Sequence, residues 1–294
     1  MKLLVINPNI SDDVTALIES EALRSASPGT ELVVRTAGHG VEYIETRFES
    51  LIAAGAVAEI IAEFTAETSD GGTAGGGTAG GGADGGTAGG GTADGGADGA
   101  SRADRIDGVV VAAFGDPGMP ALKELTDVPV IGITEAALCA AALQGHRFSI
   151  IAISDRIRPW YLDCVERFGL GGRLASIRSI NESLNGIGSV QHDFKETLLA
   201  LSRQAVTEDG ADVVILAGAP LAGLARELRV QIPVPVVDGI SAGIRMAEAV
   251  VGLQSGPHRA GAFAPPPLKA RRGLSENLDA ALAAAQSAPA ASKN

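Results

Sequence analysis

Short runs of β-branched and aliphatic residues recur along the chain, each followed by a stretch with helical spacing. The runs are KLLVIN (2–7), ELVVRTA (31–37), GVVVAAF (108–114), VPVIGI (128–133), RFSIIAI (147–153), RLASIRSI (173–180), DVVILAG (212–218) and VPVVDG (234–239). Most are apolar at every position rather than at alternate ones, the pattern of a strand buried on both faces. The intervening segments 11–25, 45–66, 119–125, 135–143, 158–168, 193–208, 219–228 and 240–252 read as helices. This alternation predicts an α/β fold, with parallel sheet flanked by helices.

Two segments break the alternation. Residues 69–101 hold 16 of the 39 glycines and no apolar side chain larger than alanine. Such a segment has nothing to offset its ordering entropy, so a disordered insertion is expected there. It leads to the amino end of the 108–114 strand and should therefore leave the fold opposite the strand carboxyl ends. The tail 254–294 is rich in Pro, Gly and Ala and is expected to be mostly disordered. Its one helical candidate is 275–286, where Ser275 precedes good helix formers.

Ligands of parallel α/β sheets collect at the carboxyl ends of the strands. Those ends carry Asn7 and Asn9; His39; Phe114 and Asp116; Thr134 and Glu135; Ser154 to Arg156; Gly218 and Ala219; and Asp238. The set is poor in nucleophiles and rich in small residues and helix starts, which suit a carboxylate or another small anion. His39 is a candidate base near neutral pH or a surface histidine. Asp116 is a candidate acid or base, or a turn and helix cap. Asn7, Asn9, Phe114, Thr134, Gly218, Ala219 and Asp238 are candidate ligand contacts, Asp238 alternatively a helix cap. Glu45 reads as a solvated first-turn helix residue or a cleft acid; Glu135 opens a helix, where a carboxylate is favoured without any chemistry.

Composition narrows the partners. The formal net charge of −12 argues against nucleic acid and anionic membranes. No apolar run reaches the roughly 18–20 residues of a membrane span, and MKLLVINPN opens directly on a strand, so a cytoplasmic protein with a small-molecule substrate is expected. No G-x-G-x-x-G follows the first strand and no G-x-x-x-x-G-K-[ST] occurs, so no nucleotide cofactor is expected. Cys139 and Cys164 form no CxxC pair; no metal site is expected, and both read as buried structural thiols. Assembly into a homo-oligomer is left open.

INPN after the first strand, AFGDPG after the third, VPVIGITEAA across the fourth, AGAPLAG after the seventh and VVDGI near the end occur in that order over residues 1–253. Together they resemble the cofactor-independent aspartate/glutamate racemase superfamily, most closely its hydantoin racemase branch. The resemblance implies two similar lobes, each a parallel sheet flanked by helices, related by a pseudo-twofold axis, with the active site in the cleft between them. The lobes are expected at 1–133 plus 222–253 and at 134–221. The resemblance also implies two cysteines facing each other across the cleft, one removing a proton next to a carbonyl and the other donating to the opposite face. Those positions fall at Ala113 and Gly218. Neither can move a proton, so a racemase-like scaffold with altered proton chemistry is expected, using His39, Asp116 or water. A single-proton reaction such as decarboxylation suits that loss better than racemisation. The alternatives are a non-catalytic small-carboxylate-binding protein derived from the scaffold, and a structural or regulatory partner.

Overall fold

In the computed structural model, residues 1–67, 105–180, 182–255, 264, 266–267 and 269–287 are described. All eight expected strands form: β1 (Lys2–Asn7), β2 (Glu31–Thr36), β3 (Gly108–Val111), β4 (Val130–Gly132), β5 (Phe148–Ala152), β6 (Leu174–Ser179), β7 (Val213–Leu216) and β8 (Val236–Asp238). They make two four-stranded sheets of order β2-β1-β3-β4 and β6-β5-β7-β8, parallel throughout. The same order in both halves is the expected two-lobed α/β architecture.

The helices are α1 (Asp12–Ser25), α2 (Arg47–Glu67), α3 (Met119–Leu125), α4 (Ile133–Gln144), α5 (Arg158–Arg167), α6 (Val190–Asp193), α7 (Lys195–Thr207), α8 (Leu224–Leu228), α9 (Gly239–Leu253) and α10 (Glu276–Ser287). Their starts are chemically marked. Ser11 Oγ accepts from the Val14 N–H at the head of α1. Thr46 and Glu49 cap α2 reciprocally: Glu49 N–H donates to Thr46 Oγ1 at 3.1 Å, and Thr46 N–H donates to Glu49 Oε2 at 2.9 Å.

Strand periodicity sorts the core. Leu4, Ile6, Val109 and Val111 point outward onto Val57 and Ile61 of α2 and Met119 and Leu122 of α3. Leu3, Val5 and Val110 point the other way, into a cluster shared with Phe148, Ile150, Val213 and Ile215 of the second sheet. Ile151, Val214 and Leu216 face a separate outer cluster with Leu198 of α7 and Leu224 of α8. Burying each such aliphatic side chain is worth about 1.5–3 kcal/mol. The shared cluster is therefore the main force joining the lobes.

Two helices are exchanged. After β4 the chain enters α4, which packs on β7 and β8; after β8 it enters α9, which packs on β3, β4 and α1. The two helices also pack on each other. Sheet membership thus moves the expected lobe boundary. Residues 222–253 do not join the first lobe as a block, because β8 pairs with β7 and only α9 returns.

The expected insertion at 69–101 lies outside the described residues. In the tail, the helical candidate at 275–286 is formed. The α10 helix forms one residue beyond Ser275, packs on α2 and buries Ala281. Residues 256–263, 265, 268 and 288–294 lie outside the described part.

Candidate functional site

The carboxyl ends of the two sheets meet at a narrow cleft. The first lobe contributes Asn9, Tyr43, Ile44, Ala113 and Phe114; the second contributes Tyr161, Gly218, Ala219 and Pro220. Its interior is about 20 Å³, room for roughly one water molecule.

Each wall is fixed by its own sequence. The turn after β3 runs through Gly115 at φ 112° and Asp116 at φ 50°. Gly115 N–H donates to Thr134 Oγ1 at 2.5 Å, and its carbonyl accepts from Cys164 Sγ at 3.4 Å. The Phe114 ring meets the edge of Tyr161, with centroids 4.8 Å apart. A Cβ on Gly115 would stand 2.2 Å from Trp160, so glycine lets the α5 indole lie flush on this turn. Across the cleft, Gly218 adopts φ 121° at the start of a short 3-10 turn, Ala219–Leu221. Gln191 of α6 holds that turn by donating to the carbonyls of Pro220 and Ala222, both at 2.9 Å.

Asn9, Phe114, Gly218 and Ala219 of the expected ligand contacts lie on the cleft, and so does Ala113. The others are drawn into structural roles. Asn7 is fully buried, and its amide nitrogen donates to Asn9 Oδ1, Ser11 O and Thr15 Oγ1. Asn7 braces the turn, while Asn9, its oxygen occupied by Asn7 and Ser11, lines the cleft. Thr134 is fully buried and spends its hydroxyl on Gly115. Asp238 caps α9 through Ile240 and Ser241 and accepts from Gly223 N–H. Burial pushes the Asp238 carboxyl up to about 6.

The two candidate acid–base residues do not line the cleft. His39 is exposed on the turn after β2. Asp116 turns away from the cleft and accepts the Thr134 and Glu135 N–H groups, at 2.9 and 2.8 Å, capping α4 rather than the helix that follows it. Burial pushes its carboxyl up to about 7, against the two amide donors that favour the anion. Glu135, the next residue on α4, is held by Lys123. The cysteines are placed differently from each other. Cys164 is buried behind Gly115 with its thiol pushed up to about 12 by burial. Cys139 is exposed on α4, contrary to expectation, because only the 133–138 stretch and Ala141 of that helix face the core.

Tyr43, Ile44 and Tyr161 went unrecognised in the sequence. The signal was scarcity: the chain has two tyrosines, and both line this cleft. Burial raises both phenols above their usual range, so at neutral pH they donate hydrogen bonds and do not act as bases. The cleft can therefore orient and polarise a carbonyl group, while its walls present neither thiol nor imidazole. Among the described residues, no group of three or more His, Cys, Asp or Glu side chains converges as a metal site would require. Among them too, no helix is long and apolar enough to cross a membrane.

Comparison with known proteins agrees with this architecture. The family described as Asp/Glu/hydantoin racemase matches residues 3–247. A hydantoin racemase of Paenarthrobacter aurescens is 31% identical over 266 residues, covering 90% of this chain and 98% of that one. The structure of an allantoin racemase from Klebsiella pneumoniae superposes with a TM-score of 0.77 at 30% identity, over 95% of this chain and 98% of that one. Arylmalonate decarboxylase shares the fold at 15% identity, with a TM-score of 0.54 over 88% of this chain and 96% of that one. The chain belongs to the Asp/Glu/hydantoin racemase family. Its fold and cleft are those of a racemase-superfamily enzyme.

Proposed function

We propose that this enzyme acts without a cofactor on a small hydantoin-like or amino-acid-like carbonyl compound, by a reaction that needs one proton transfer instead of two. The observation that carries the reading is the pairing of Ala113 and Gly218 on opposite walls of the cleft. Racemisation requires removal of a proton from one face and delivery to the other, and neither residue has a group that ionises. The cysteines at those positions belong to the family pattern; here the nearest thiol, Cys164, is buried and points at a backbone carbonyl.

The cleft retains what a carbanion-forming reaction needs apart from the thiols. Donors aimed at a carbonyl oxygen stabilise the enolate that develops when a bond at the adjacent carbon breaks. In decarboxylation that bond is carbon–carbon: its electron pair stays on the substrate as carbon dioxide leaves, and one proton from water or a phenol completes the product. Such a step needs no base. A ring-sized substrate also requires the narrow cleft to widen, by parting of the lobes.

Proton NMR in D₂O tests the reading with a panel of 5-substituted hydantoins, amino acids and substituted malonates. Loss of carbon dioxide or ring opening, without exchange and inversion at the α-carbon, is the expected result. Protein-dependent racemisation of a hydantoin would overturn the one-proton reading. A folded protein that leaves the whole panel unchanged would favour the binding-protein alternative.

A further inference from the structure

We propose that the Tyr43 hydroxyl is a substrate contact, donating a hydrogen bond to a carbonyl-type oxygen of the molecule held in the cleft. The inference deepens the reading above and rests on it. Among the described residues, this is the buried side-chain polar atom left without a hydrogen-bond partner. Buried polar groups are paired in the large majority of cases, and an unpaired donor is costly.

No acceptor of the surrounding protein lies within hydrogen-bond reach of the Tyr43 hydroxyl. Asn9 Oδ1 already receives Asn7 and Ser11. Ala113, Phe114, Gly218 and Pro220 line the same cleft with no polar side chain. The Glu45 and Glu49 carboxylates act on the phenol electrostatically, Glu45 the more strongly, yet neither hydrogen-bonds to it; Glu49 Oε2 accepts instead from the N–H groups of Glu45 and Thr46. An oxygen of the ligand is the acceptor that completes the set.

The hydroxyl is also held in place. Its segment is tied to the first lobe where Ile10 N–H donates to Val41 O at 3.1 Å, and to α2 by the Thr46–Glu49 cap. The Tyr43 ring packs against the outer core of the second lobe. One side chain thus rises from the first lobe, rests on the second, and presents its donor between them. With its phenol un-ionised, Tyr43 polarises and positions; it does not abstract a proton.

The test is Tyr43→Phe, which keeps the ring and removes the donor. Two probes without an α-proton are titrated calorimetrically into wild type and variant: 5,5-dimethylhydantoin, with neutral imide carbonyls, and dimethylmalonate, with carboxylates. Binding is expected to weaken about tenfold for a neutral acceptor, and more for a carboxylate. The ligand-free variant is expected to melt at or above the wild-type temperature, because an unpaired buried donor has been removed. Loss with either probe supports the inference and identifies the acceptor. Equal affinity for every probe that wild type binds overturns it, as does a clear drop in the ligand-free melting temperature, which would reveal a structural partner. A wild-type protein that binds neither probe would overturn the substrate reading of the cleft, and this inference with it.

Discussion

Gly115 and Trp160 lie so close that a single added carbon on the glycine would stand 2.2 Å from the indole ring. The contact joins the turn after β3 to α5, and so joins the two walls of the cleft. Gly115→Ala would meet both a φ of 112° and that ring. Left-handed strain of about 1–2 kcal/mol and overpacking of about 1–3 kcal/mol give a loss of about 2–5 kcal/mol in urea unfolding. Trp160 is the single tryptophan of the chain and is buried, so its fluorescence reports the event directly. Red-shifted emission is expected in the folded variant; an unchanged spectrum and midpoint would show that the contact is slack.

Asp116 should make the protein less stable as pH rises. Its folded carboxyl titrates near 7, far above the ordinary 3.8, so between those values the folded state holds a proton the unfolded state has lost. Stability therefore falls with rising pH across that window and levels off above about 7. Asp238 adds a similar trend that ends near 6. Asp116→Asn should flatten the slope of melting temperature between pH 6 and 7 and reduce it at lower pH to the share of Asp238. A wild-type slope of the opposite sign would mean that the two amide donors outweigh burial.

Glu21 of α1 is 1% exposed and is held by Arg226 of α8, by Ser241 of α9 and by Ser25. Burial disfavours its charge, yet these hydrogen bonds keep its carboxyl below the usual range. Its contribution is present at neutral pH and lost as pH falls through the acid range. Arg226→Met should cost about 2–3 kcal/mol, below the roughly 3–5 of a fully buried pair because Arg226 is 39% exposed. Double variants with Glu21→Gln measure the coupling; additive losses would show that the two residues act separately.

Restoring thiols should have unequal costs. Ala113 already carries a Cβ on the cleft wall, and Ala113→Cys is expected to change stability by less than about 1 kcal/mol. Gly218→Cys has ordinary room, its nearest side-chain atoms standing 3.5 and 3.8 Å away, but must hold φ 121°. That backbone strain is worth about 1–3 kcal/mol. Chemically, Ala113→Cys alone should allow α-proton exchange of a hydantoin in D₂O with retention, and the double variant should racemise it. Racemisation by the single variant would show that the opposite face already has a donor.

Sequence periodicity carried the fold well because strands buried on both faces leave unbroken apolar runs, and VVV in β3 or VVIL in β7 has no other easy reading. The four-residue helix α6 escaped because it is shorter than the helical period needs to show itself. The exchange of α4 and α9 escaped because each helix follows its strand directly, and nothing in the sequence says which sheet it will cover. At the site, position along a strand was legible and side-chain direction was not. Asn7 and Asn9 flank one proline, yet one braces the turn and the other lines the cleft. Tyr43 lies four residues beyond His39, past the end of the second strand, because the cleft is closed by the segment beyond the strand end.

The helix exchange sets an order of events during synthesis. When the ribosome has released β1 to β4, the first sheet exists in sequence but the helix that covers β3 and β4 does not. That cover is α9, more than 100 residues later. Until it emerges, Leu3, Val5 and Val110 have no complete partner surface, and α4 waits for β7 and β8. The nascent first half thus keeps an exposed apolar face while more than 100 further residues are added, a natural client for a chaperone, and closure of both lobes falls in one late step.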